Sequence, residues 1–182
     1  MLDPVHAAAV APAALGAFAL AADRGRPRAA ELAAALLMLA AMVDAAIIGA
    51  IPAVLWASIL LLAAMTMAAS GRRRRGPVGP AGDEPATSAR ATAAVNLHAS
   101  LGLVAMAPVM LAMAGGEAAT PSALHDHGLG TGSVTALIAL SAGIYGAASL
   151  ALAVRAAPAL RRAQFATMGA STVIMAMGVV TG

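Results

Sequence analysis

Residues 30–75 read AELAAALLMLAAMVDAAIIGAIPAVLWASILLLAAMTMAASGRRRR. Glu31 and Asp44 are the only charged residues in this run before the terminal Arg cluster. A helix needs roughly 20 apolar residues to cross the hydrocarbon core of a bilayer. Residues 30–50 and 53–70 each come close to that length, with Gly49 and Pro52 marking a tight, uncharged turn between them. An apolar hairpin that ends on Arg72, Arg73, Arg74 and Arg75 reads as two membrane crossings with a basic flank.

The rest of the chain repeats the pattern. Of its 182 residues 61% are hydrophobic and 10% charged, and the mean hydropathy is +0.86. A soluble domain carries about 25% charged residues. A cytosolic enzyme, a disordered chain and a nucleic-acid-binding module are therefore excluded as readings. Further spans are expected at about 5–22, 91–114, 131–154 and 163–180. The segment at 71–90, rich in Gly, Pro and charge, forms a cytoplasmic loop, and 115–130 forms an outer loop. In the first stretch the Arg residues follow the apolar run instead of preceding it, the reverse of a secretory signal, so it counts as a span. The expected fold is all-α: one domain over 1–182, an integral membrane bundle of six transmembrane helices.

Arginine tests that count. All 11 basic residues are Arg. With six spans, Arg24, Arg26 and Arg28, then Arg72 to Arg75 with Arg90, then Arg155, Arg161 and Arg162 fall in three connections on one side. Cytoplasmic connections carry the excess of basic residues. Both termini are then on the outer side of a bacterial plasma membrane, in a multi-pass protein.

Three kinds of side chain stand out within the spans. Asp44 lies about five residues before the outer turn, roughly 7–8 Å into the helix at ~1.5 Å per residue. An acid at that depth must be protonated, paired, metal-bound or wetted. His98 heads a stripe of His98, Gly102, Met106, Val109 or Met110, and Met113 on one face of the fourth span. It is read either as a ligand or as hydrogen-bonded across to a Ser or Tyr145. Methionine is enriched at 11 residues, and thioethers are soft ligands that select Cu(I) without cysteine. Grouping these by depth gives a candidate copper site of Asp44, His98, Met106, Met110, Met113, His125 and His127 in the outer half. His6, Met38, Met42, Met175 and Met177 are its secondary candidates, although His98 lies deeper than the rest.

The absences narrow the chemistry. Without cysteine there is no zinc-thiolate site and no iron–sulfur cluster. No two His stand at matching depths for a bis-His haem. Hydrolase, P-loop and dinucleotide motifs are missing, so a non-enzymatic protein is expected. On the fifth span Ala139/Gly143/Ala147 and Ala142/Gly146 offer small residues for close helix packing, with Tyr145 as a hydrogen-bonding neighbour.

Three readings follow: a membrane protein binding copper or another soft metal; a metal-free structural or accessory subunit of a larger membrane complex; and a small-solute or proton-coupled transporter using Asp44. The partners are the lipid bilayer and either a second copy or a larger membrane protein, with no nucleic acid. Six short Ala-rich spans, Arg-only inner loops, Met38/Met42, and His98 followed by Met106/Met110 together resemble uncharacterised small multi-pass membrane proteins of actinobacteria. That resemblance implies a plasma-membrane protein and no particular chemistry.

Overall fold

The computed structural model describes residues 4–23, 29–74, 86–117, 131–156 and 159–181. Their regular structure is helical throughout: α1 (Pro4–Ala22), α2 (Ala29–Val43) prolonged by a π turn (Asp44–Ile48), α3 (Ala53–Arg74), α4 (Ala86–Glu117), α5 (Thr131–Arg155) and α6 (Ala159–Thr181). Five segments, Ala29–Ile48, Ala53–Gly71, Ala93–Met113, Thr135–Arg155 and Ala159–Thr181, are long and apolar enough to cross a membrane. In α1 the apolar run Ala7–Ala22 is shorter. The chain is an all-α, multi-pass membrane bundle.

Several helices run past the expected spans. α3 continues to Arg74, α4 begins at Ala86, and Arg161 and Arg162 belong to the first turn of α6 instead of a connector. Ala and Arg are among the strongest helix formers, so a helix need not stop where the apolar run stops.

α6 packs against α1, α5 and α4, while α4 also touches α2, α3 and α5. α4 and α6 therefore form the interior. α3 and α5 are marginal, turning Leu55, Leu62, Met65, Leu140, Ile144 and Leu150 outward. Outward apolar side chains are stable against lipid, so what distinguishes the inner faces is how closely the backbones approach.

That approach depends on small residues. Along α1, Ala9, Ala13, Gly16 and Ala17 are buried. A Cβ on Gly16 would stand 2.8 Å from Thr167 Oγ1 and 3.0 Å from Met168 Cγ of α6. Between α5 and α6, a Cβ on Gly146 would meet Val173 Cγ2 at 2.8 Å, and one on Gly169 would meet Ser149 Cβ at 2.5 Å. The two small-residue stripes anticipated on α5 therefore separate. Ala142/Gly146 lines the interior, whereas Ala139, Gly143 and Ala147 face outward, with nothing within 4 Å of a Cβ on Gly143.

Two polar contacts and a crevice gather the helix ends. Arg161 Nη2 lies 3.5 Å from Asp23 Oδ2, joining the start of α6 to the end of α1. Arg162 Nη2 donates to the Ala156 carbonyl just beyond α5 at 3.1 Å. A crevice of about 380 Å³ is bordered by Ala29 and Ala30 at the start of α2 and by Ser70 and Gly71 near the end of α3. The described ends of all three Arg-bearing connections thus meet at one end of the bundle.

Substitution of two glycines on α5 and α6 separates these roles. Gly169→Ala should destabilise the bundle by about 1–3 kcal/mol, because a methyl group is forced into a filled contact. Gly143→Ala should be neutral or slightly stabilising, since it improves helix propensity in open space. Thermal midpoints of the two purified variants in detergent check this.

Candidate functional site

Two buried polar nodes lie in the bundle. The first is built on Asp44. α2 widens into a π turn there, and the Gly49 N–H closes the turn on the Asp44 carbonyl at 2.6 Å. Gly49 has φ 64° and ψ 26°, left-handed values that favour glycine. The chain then leaves the helix, so the next backbone donors need partners from elsewhere. Asp44 supplies them. Its Oδ1 accepts from the Ala50 N–H at 3.1 Å, and its Oδ2 accepts from the Ile51 N–H at 3.1 Å and from Trp56 Nε1 at 2.7 Å. Trp56 lies in the first turn of α3 and is buried. One carboxylate thus ties the end of α2 to the start of α3. Unsatisfied N–H groups are costly in a bilayer, and these three are answered without water.

The second node joins α4, α5 and α6. His98 Nε2 lies 3.1 Å from the Tyr145 hydroxyl. The two rings stack with centroids 4.9 Å apart and planes inclined by 15°. Phe165 presents an edge to the imidazole at 4.8 Å and 84°. Gly102, one turn beyond His98, makes room for this pairing: a Cβ there would stand 2.7 Å from Tyr145 Oη. His98 is 4% exposed, and its Nδ1 has no partner. Beside it is a chamber of about 20 Å³ bordered by Glu31, Met38, His98, Tyr145, Gln164 and Met168.

The stripe expected on α4 is one inner face: Gly102, Met106, Val109 and Met110 are buried with His98, and Met113 packs against the core. Met38, Met42 and Met175 are buried in the same core. Met177 differs, with 53% exposure on the other side of α6 from Met175. His125, His127 and Arg75 lie outside the described residues, as do the side chains of His6 and Arg72 to Arg74. Asp44 and His98, assigned to one site on sequence grounds, share no hydrogen-bond partner. Among the described residues no three His, Asp or Glu side chains converge to hold a metal ion.

Trp56, Phe165, Gln164 and Met168 carry these nodes without having been singled out as site residues. A signal existed for Trp56, the only Trp in the chain, just beyond the turn that follows Asp44. For the others, helical spacing marks a buried face but does not say which neighbour it meets. No protein family, curated protein or solved structure matches the chain.

The Asp44 node makes Trp56 a reporter. Asp44→Ala should lower the thermal midpoint by several degrees and shift Trp56 fluorescence, because three donors lose their acceptor. Trp56→Phe should lower the midpoint less, since it removes a donor and leaves the carboxylate holding the two backbone groups. The two midpoints in one detergent, with the emission maximum of Asp44→Ala, check the ordering.

Proposed function

We propose that the chain is a structural or accessory subunit of a larger complex in a bacterial plasma membrane, crossing it six times with both termini outside. The observation that carries this reading is the commitment of Asp44. A carboxylate offers about four lone-pair sites, and three of those on Asp44 are taken by N–H donors from its own hairpin, which leaves little of it for a metal or a coupled proton. Its work is to hold two helices together, and the assembly it serves does not depend on a metal. The outward apolar faces of α3 and α5 supply surface for lipid and for a neighbouring helix.

The sixth crossing rests on α1. Its 19 residues extend roughly 28 Å at ~1.5 Å per residue, close to the ~30 Å hydrocarbon thickness. Its small-residue face packs on α6 as a spanning helix would. Gathering of the three Arg-bearing connections at one end supports an inner placement of that end.

Two measurements test the reading. Native mass spectrometry of particles cut from source membranes without detergent should find the chain in an assembly of fixed stoichiometry, retained by Met106→Leu/Met110→Leu. Recovery only as a single subunit would sink the accessory role. The chain has no cysteine, so a single introduced thiol reports topology directly. Ala50→Cys should react with an impermeant maleimide on intact cells, and Ser88→Cys only after lysis. The opposite pattern would reject the orientation.

A further inference from the structure

We infer that the chamber beside His98 binds one soft monovalent cation, of the Cu(I) or Ag(I) class, through His98 Nδ1 and the thioethers of Met38 and Met168. This goes beyond the assembly role and does not rest on it.

The imidazole is prepared as a ligand. One ring nitrogen is committed to the Tyr145 hydroxyl, and the other is buried with no partner. When Nε2–H donates to the tyrosine oxygen, Nδ1 carries a lone pair and no proton. Metal-ligating histidines are held in this manner, with the second ring nitrogen fixed by an outer partner that sets tautomer and orientation. Here the outer partner is itself fixed, by stacking on the imidazole and by the space that Gly102 leaves open. The Phe165 edge restricts the ring further.

The rest of the chamber selects the ion. It borders Met38 of α2 and Met168 of α6 as well as His98 of α4, so three helices place an imidazole and two thioether side chains around one space. Its volume of about 20 Å³ suits a single water-sized occupant. Thioethers favour Cu(I) over hard cations such as Mg²⁺ and Ca²⁺. Glu31 also borders the chamber, as does Gln164 of α6. The grouping differs from the outer-half site expected from sequence: of the primary residues it keeps only His98, it takes Met38 from the secondary ones, and it adds Met168.

Ag(I), which is redox-inert, is the probe. Full-length protein in detergent, labelled with ¹⁵N-histidine, is loaded with Ag(I) and desalted. One silver per chain and a displaced Nδ1 resonance of His98 are expected. Met38→Leu/Met168→Leu conserves volume and should lose the bound silver, while Met175→Leu keeps it. Tyr145→Phe should weaken binding by about ten- to hundredfold through loss of the outer partner. Circular dichroism and gel filtration confirm that each variant is folded. A wild-type chain that retains no silver, an unmoved Nδ1 resonance, or unchanged binding by the Met38/Met168 variant would overturn the site and leave water as the chamber's occupant. The same double variant should still enter the fixed assembly, so loss of the metal site and loss of the accessory role are read separately.

Discussion

Helix α6 lies close to two neighbours at once because glycine stands at each crossing. Gly16 admits Thr167 and Met168 on one side, and Gly146 with Gly169 brings α5 against α6 on the other. In a bilayer, helix association gains little from excluding water, since lipid tails are as apolar as leucine. Contact between closely approaching backbones has to supply the cohesion. That requirement places α6 where Phe165, Gln164 and Met168 reach the α2–α4 interface. The polar node at His98 follows from a packing constraint set elsewhere on the same helix.

The α2–α3 hairpin meets a different constraint. A chain that reverses near the edge of the hydrocarbon must leave a helix, expose backbone N–H groups and enter another helix. The π turn places Asp44 within reach of the donors that follow, and left-handed Gly49 turns the chain so that Ala50 and Ile51 present their N–H groups to it. Trp56 adds an indole N–H from the next helix. The acid that looks most costly in the sequence is thus the group that lets the turn be short.

The all-helical membrane class was legible in the sequence because apolar length and turn residues are local signals. The buried stripe from His98 to Met113 was legible too, since 3–4 spacing marks a face. What that face meets was not. Tyr145 was one of several hydrogen-bonding partners open to His98, and only the packing of α5 on α4 makes it the partner. Depth alone grouped Asp44 with the outer methionines, but depth does not carry rotation about a helix axis. Met175 and Met177 are neighbours in depth and face opposite ways. The π turn was also hidden, because no composition rule separates five residues of π-helix from α-helix.

The two nodes are linked through α2. Glu31 and Met38 border the His98 chamber near the Arg-bearing end, and Asp44 anchors the opposite end of the same element. Consecutive residues of an α-helix are separated by about 100° around its axis. A rotation of α2 by a single position would carry Met38 away from His98 and Met168. Asp44 opposes that rotation, because Ala50, Ile51 and Trp56 converge on one carboxylate whose position depends on the angle of the helix. The hairpin bond therefore also holds the register in which Met38 of α2 and His98 of α4 border one chamber.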